Sequence, residues 1–297
     1  MLITKLKNSY HTYALITILF WSLTYALTKI CMTYFTSQAL AFLRYFIAFL
    51  TMLIFIAFYR LKLPRKRDWI WFFLSGFFGF AFYTIVFNKG TALVTSATSS
   101  LVIASIPIIT ALLASVTYKE KLKGYQWVAT LVEFAGIAVV TLWHGVFSIN
   151  IGIFLLLVAA LSFSVYNLCQ RRLLRIYPAL QCSVYSMIAA MILLTPGSVQ
   201  TVRQLPGVGA EVLVSVLIMA VFCSALAYNT WVKALSLAKK TSYVTNYMFL
   251  SPVLATLWGF LLLREVPDLG TLIGGAMILC GLIIFNQESF REALHRA

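Results

Sequence analysis

Groups able to do acid–base, nucleophilic or metal chemistry are few in this chain, and only one lies deep in apolar sequence. Eight residues are acidic and three are histidine. Glu133 alone among the acids falls near the middle of an apolar run. A carboxyl group inside a membrane-spanning segment is costly and marks a functional candidate. Helical spacing puts Gln126, Thr130 and Glu133 on one stripe with Gly136 or Ile137, so the acid can face protein instead of lipid. Two readings follow: a proton carrier, or an acid bonded to a neighbouring helix. His11, His144 and His295 stand near the ends of apolar runs or in the C-terminal tail, and neither an HExxH nor a DxxxD pattern occurs. The cysteines (Cys31, Cys169, Cys182, Cys223, Cys280) are scattered, without CxxC or histidine spacing. A metal site, a cofactor site and a disulfide framework therefore find no support. An intramembrane enzyme would need clustered acids, histidines or metal ligands, so the chemistry on offer is binding.

The binding groups are neutral. Polar and aromatic side chains interrupt otherwise apolar stretches at Trp21 and Tyr25, at Tyr83, and at Ser99 and Ser100. They recur at Tyr166 and Asn167, at Tyr228 and Asn229, and at Thr245, Asn246 and Tyr247. Aromatic rings with neutral donors suit small amphipathic solutes, including the carboxylate and ammonium groups of amino acids. Arg44, a cation within the outer part of the second span, is expected to snorkel towards the membrane interface. Pro107 and Pro252 fall mid-span; each removes a helix hydrogen bond and makes a pliable point, a hinge candidate. Glu120 and Glu265 each follow a basic residue at a span end and are expected to tie helix ends locally.

These residues must be held by membrane helices. The chain has 297 residues, 62% of them hydrophobic and 10% charged, with a mean hydropathy of +0.93. A soluble fold of this length cannot hide so much apolar surface, whereas roughly 20 apolar residues cross a ~30 Å hydrocarbon layer as a helix. Ten candidate spans emerge: Tyr13–Ile30, Ala39–Tyr59, Trp69–Phe87, Ala97–Tyr118, Tyr125–Trp143, Ile151–Cys169, Leu180–Leu194, Val212–Leu235, Ser242–Leu263 and Leu269–Phe285. The seventh is the shortest, ending at Thr195-Pro196-Gly197. The N-terminal run lacks a small-residue cleavage site and reads as a retained first span.

The net charge of +15 invites a nucleic-acid reading, but its placement argues otherwise. With both termini cytoplasmic, eighteen of the 23 basic residues fall on the cytoplasmic side; Lys29, Lys89, Arg203 and Arg264 lie outside. That is the positive-inside bias of a multi-pass membrane protein. The partners expected are a lipid bilayer and a small-molecule substrate, and no nucleic acid.

An offset of 145 superposes Tyr83 on Tyr228, Pro107 on Pro252, Glu120 on Glu265 and Gly136 on Gly281, and one of 141 lays Tyr25 over Tyr166. A repeat of five spans is odd-numbered, so its second copy enters the membrane inverted, as in many secondary transporters. The expected division is residues 1–147, 148–290 and a cytoplasmic tail, 291–297. Two segments carry a family resemblance: "ATSSLVIASIPIITALLASVTYKEKLKGYQWVATLVEFAGIAVV" and "SYVTNYMFLSPVLATLWGFLLLREVPDLGTLIGGAMILCGLIIF". With "FWSLTYALTK" and "FLRY" they resemble the EamA-type members of the drug/metabolite transporter superfamily. The resemblance implies an all-α bundle of ten transmembrane helices, two inverted five-helix repeats around a central cavity. It also implies alternating access, with export of amino acids or related metabolites across the cytoplasmic membrane. Related four-helix multidrug transporters couple to protons through a Glu in the first helix; the first span here has none. Uptake by a permease remains the second transporter reading, with an intramembrane enzyme or an assembly subunit behind it. A chain holding both halves of its symmetry can work as a monomer.

Overall fold

Low charge and long apolar runs leave the backbone one way to satisfy its hydrogen bonds in lipid, which is helix. The computed structural model describes residues 9–118, 123–143, 150–238, 241–285 and 287–288, and among these there is no strand. The helices are α1 (Tyr10–Met32), α2 (Ser37–Tyr59), α3 (Lys66–Ala92), α4 (Ser96–Tyr118) and α5 (Gly124–Leu142). They continue as α6 (Ile151–Leu173), α7 (Ala179–Gln204), α8 (Ala210–Leu237), a segmented α9 and α10 (Leu269–Phe285). The pieces of α9 are Thr241–Thr245, Asn246–Leu250 and Ser251–Leu263. Seven of the described helices (α1–α4 and α6–α8) are long and apolar enough to cross a membrane; α5, the last piece of α9 and α10 are shorter apolar helices. The outer surface is apolar, with Phe58 85%, Val116 81% and Leu131 70% exposed, which suits lipid and not water. This is a multi-pass membrane protein. Residue 147 and the tail 291–297 lie outside the described residues, as does Glu120.

Local chemistry sets the helix ends. Thr36, Thr95 and Asn150 cap α2, α4 and α6, their side chains accepting from the amides of Ala39, Thr98 and Gly152, donors that the first turn leaves unpaired. At the other end, Arg264 closes α9 in the left-handed region (φ 54°). The amide of Glu265 then returns to the Gly259 carbonyl at 3.1 Å, the six-to-one bond of a Schellman turn. The seventh span departs from expectation. Pro196 does not end it: a 3₁₀ turn at Thr195–Gly197 leads into Ser198–Gln204. Proline at the start of a new helical turn lacks only an amide that would have been unpaired anyway.

Several helices are interrupted inside the bundle. α3 is π-helical over Phe77–Ala81 and α8 over Met219–Leu226. α4 breaks between Ile103 and Ile106, just ahead of Pro107, and α9 is 3₁₀ over Asn246–Leu250, just ahead of Pro252. Each proline withholds the amide that would have bonded four residues back, at Ile103 and Met248 respectively.

Packing is reciprocal: α1 lies on α8 and α9, while α6 lies on α3 and α4. α5 and α10 pair chiefly with each other. Glycine permits that pair's close approach, since a Cβ on Gly136 would stand 2.7 Å from the Gly274 carbonyl oxygen. The buried core runs through the middle of the other helices and is aromatic, with Phe80, Phe163, Tyr166, Tyr228 and Trp231 all at most 2% exposed.

Candidate functional site

A small cavity of about 30 Å³ lies within this aromatic core. α1 contributes Ile18, Trp21, Thr24 and Tyr25, α3 Tyr83 and Phe87, and α2 Arg44. From the later helices come Phe163 (α6), Tyr228 (α8), and Met248 and Ser251 (α9), with Ile103 from α4. Ile103 and Met248, each four residues ahead of a proline, are both in the wall, and the Met248 carbonyl accepts from the Ser251 amide instead.

The rings hold one another in place. Trp21 meets Phe163 and Tyr228 edge-on at centroid distances of 5.4 and 5.1 Å, and Tyr83 lies 5.1 Å from Phe163. Edge-to-face geometry sets the positive ring edge against a negative ring face. Their polar tips are anchored too. Trp21 Nε1 donates to the Cys223 carbonyl at 3.1 Å. Thr84 Oγ1 donates to Tyr45 Oη (3.2 Å), Tyr45 to Tyr228 Oη (3.4 Å) and Tyr228 to the Gly79 carbonyl (3.1 Å). Both acceptor carbonyls belong to π-helical stretches, the segments that recur at functional sites in helices.

Of the residues singled out in the sequence, Trp21, Tyr25, Tyr83 and Tyr228 line this cavity. Tyr166 stands behind it, its ring against Phe163 at 5.0 Å and over Gly79. Asn167 is a bridge, accepting from Trp231 Nε1 at 3.2 Å and donating to Thr110 Oγ1 at 3.4 Å. Asn229 turns to the Ala225 carbonyl and Met52 Sδ. Ser99 and Ser100 are fully buried in α4, where Ser100 donates to its own helix at Ala97. Thr245 is likewise buried, and Tyr247 bonds His11 Nδ1. The side chain of Asn246 lies outside the described residues.

Arg44 overturns its sequence reading. It does not snorkel: it is 4% exposed and faces the cavity. Nε donates to Ser224 Oγ at 2.6 Å and Nη2 to the Cys223 carbonyl at 3.4 Å. α2 runs on for two turns beyond Arg44 towards Thr36, but the polar π-stretch of α8 is nearer than the interface, and a short reach to strong acceptors wins. Glu133 is 1% exposed at the α5–α10 seam, where Gly281 would bring a Cβ within 3.2 Å of its Cβ. It is not in the cavity wall, and neither carboxyl oxygen has a hydrogen-bond partner among the described residues. Glu265 makes the expected tie: it pairs with Lys29 Nζ and accepts from the Ser96 amide at 2.7 Å, joining α1, α4 and α9.

Sequence reasoning missed Phe163, Phe87, Thr24 and Ser251. Phe163 was accessible from helical spacing, three residues before Tyr166. The others carry no signal of their own, because one phenylalanine among 23 says nothing about which way it faces.

The EamA-like transporter family matches the chain twice, over residues 8–142 and 150–287. An uncharacterized transporter of Bacillus subtilis, YdfC, is 29% identical over 257 residues, covering 84% of this chain and 81% of YdfC. A Streptantibioticus cattleyicolor protein named "Probable terminal-alkyne amino-acid exporter" is 29% identical over 236 residues, 77% of this chain and 78% of that one. An S-adenosylmethionine uptake transporter of Rickettsia conorii is 26% identical over 272 residues, 88% and 86% of the two chains. A solved crystal structure superposes with a TM-score of 0.68 at 19% identity, covering 94% of this chain and 97% of that one, a likeness of fold.

Proposed function

The chain belongs to the EamA-like transporter family, and on that premise we propose that it is a secondary transporter exporting small polar metabolites, amino acids or their derivatives, across the cytoplasmic membrane. The observation that carries the reading is the aromatic cavity, closed in by α1–α4 on one side and α6, α8 and α9 on the other. The layout proposed is ten transmembrane helices in two inverted repeats, residues 1–147 and 148–290, with both termini cytoplasmic. Four features support it. The family match falls once in each half. π-Helical stretches occur in both α3 and α8. Interruptions precede both Pro107 and Pro252. The packing of α1 on α8 and α9 mirrors that of α6 on α3 and α4. Two mirrored halves supply two near-equivalent states, one open to each side. In this reading Pro107 and Pro252 are the hinges, because the helix is already broken beside each of them. Trp21, Tyr25, Tyr83 and Tyr228 contact the substrate. Glu133 is left with a packing role, since nothing connects it to the wall.

Alternating access is tested by single-cysteine labelling in inside-out and right-side-out vesicles, on a background without the native cysteines. Lys66→Cys is expected to react from the cytoplasmic face and Arg264→Cys from the other. Ser251→Cys, in the cavity wall, is expected to react from either side as the protein cycles. Labelling of Ser251→Cys from one face under all conditions would refute alternation. Uptake is the second reading, favoured by the names of the Rickettsia relatives; counterflow of a radiolabelled substrate against an imposed pH gradient separates the directions.

A further inference from the structure

Resting on the reading of the central cavity as the substrate site, we infer that Arg44 is its carboxylate anchor and that the transporter selects solutes bearing one carboxylate over cationic ones. A guanidinium has five N–H donors in a rigid fork. Two are engaged, Nε by Ser224 and one on Nη2 by the Cys223 carbonyl. The protein partners are thus gathered on the Nε edge, and among the described residues no hydrogen bond reaches Nη1. Arg44 is 4% exposed, yet among the described residues no carboxylate lies within 4.0 Å of it. Its nearest aromatic contact is the Tyr45 ring at 5.5 Å. A charge taken out of water needs a partner, and breaking such a pair is strongly unfavourable because it leaves the other charge buried alone. Here no described residue supplies the partner, and the unpaired charge faces the cavity beside it. A ligand carboxylate meeting the free end of the fork would make the short, paired, charge-assisted bonds that Arg favours.

The rest of the wall narrows the class. Among the described residues no second cation lines the cavity, so the single positive charge matches a monoanion better than a phosphate ester with its charge near −2. Trp21 is held by the same Cys223 carbonyl as Arg44, at 3.1 Å. One α8 carbonyl therefore fixes the anchor and an adjacent aromatic face together. The substrate's apolar portion would lie against Trp21, Tyr83 and Phe163 while its carboxylate meets Arg44. A net-cationic amine would meet an uncompensated like charge, which disfavours it.

The test uses the full chain purified in detergent and matched probes: L-phenylalanine, 3-phenylpropionate and phenethylamine, then L-leucine, 4-methylvalerate and isoamylamine. The expected result is a melting shift with carboxylated members and none with the amines, because a bound ligand stabilises the state it binds. Arg44→Gln should weaken the acids at least tenfold, and Arg44→Lys should restore part of that loss, since it keeps the charge without the fork. Amines that bind as well as the acids in the wild type would overturn the proposal, and that comparison needs no variant to fold. So would an unchanged acid-to-amine ratio in Arg44→Gln, or a wild type that no carboxylate stabilises. None of these results touches the transporter reading, which stands or falls on the two-sided labelling of Ser251→Cys.

Discussion

Replacing Gly79 with alanine adds a methyl group where no space exists. Gly79 lies in the π-helical stretch of α3, and a Cβ built on it stands 2.1 Å from Cδ2 of Tyr166, 2.5 Å from Cγ and 2.8 Å from Cε2. These are atoms of a rigid ring. Restoring carbon–carbon contact at about 3.5 Å requires a displacement of roughly 1.4 Å. The ring has nowhere to move, because Tyr166 is fully buried and meets Phe80, Phe163 and Tyr228 at centroid distances of 5.5, 5.0 and 6.1 Å. Overfilling a packed core costs about 1–3 kcal/mol, and this overlap belongs at the upper end. Alanine's better helix propensity returns about 0.5–1 kcal/mol, for a net loss of about 2 kcal/mol. The strain is also directed at function, since Phe163 and Tyr228 are cavity wall. Reversible unfolding in mixed micelles, combined with a double-mutant cycle, measures it. In a Tyr166→Phe background the cost should persist, because the clash is with the ring and the lost hydroxyl has no partner among the described residues. In Tyr166→Ala it should vanish or change sign, leaving only the propensity gain. A Gly79→Ala protein as stable as wild type, or one equally destabilised with and without the ring, would refute the wedge.

At the α9 terminus, Glu265→Gln should keep a bond to the Ser96 amide but leave Lys29 without its carboxylate, holding only the Val94 carbonyl at 3.0 Å, and lower stability by about 1 kcal/mol; adding Lys29→Met should recover part of it, read from melting of the double variant. Gly274→Val should cost more than about 2 kcal/mol, since a Cβ there meets Val140 Cγ2 at 2.5 Å and the Gly136 carbonyl oxygen at 2.6 Å; faster proteolysis of the α5–α10 pair is the readout. Glu133→Gln should stay within about 1 kcal/mol of wild type and leave transport under a pH gradient intact; loss of the gradient dependence in vesicles would restore the proton-carrier reading. Tyr177, on the loop between α6 and α7, donates to Asp68 Oδ2 at 2.6 Å and accepts from the Arg65 amide at 3.1 Å. Burial first, then the Asp68 bond, push its phenol above the usual 10. A raised folded-state value means that the tie is fully present below pH 10 and is lost as pH climbs through that value. The stability gap between wild type and Tyr177→Phe, about 1–2 kcal/mol, should be flat from pH 6 to 9 and close in stronger alkali.

Read alone, the residues settled whatever depends on one dimension of the chain. Apolar run length gives candidate spans, seven of which are, among the described residues, helices long and apolar enough to cross a membrane, the scatter of Lys and Arg gives an orientation to test, and a fixed offset links Pro107 to Pro252 and Tyr83 to Tyr228. Aromatic residues that break an apolar helix with a polar tip, Trp21 and Tyr25 among them, were legible as cavity candidates because such groups are costly against lipid. What stayed hidden depends on which neighbour is nearest in space. Asn167 and Tyr166 have the composition of binding residues but are consumed by Trp231 and by the wedge over Gly79. Pro196 resembles a terminus and is a helix start. Arg44 is the sharpest case: a lone cation in the outer part of an apolar helix is expected to snorkel to the interface, and it lies buried at the cavity instead. Only the approach of α8, whose π-helical stretch presents Ser224 and the Cys223 carbonyl, turned it inward, because a hydrogen bond a few ångströms away outweighs water beyond the two further turns of α2.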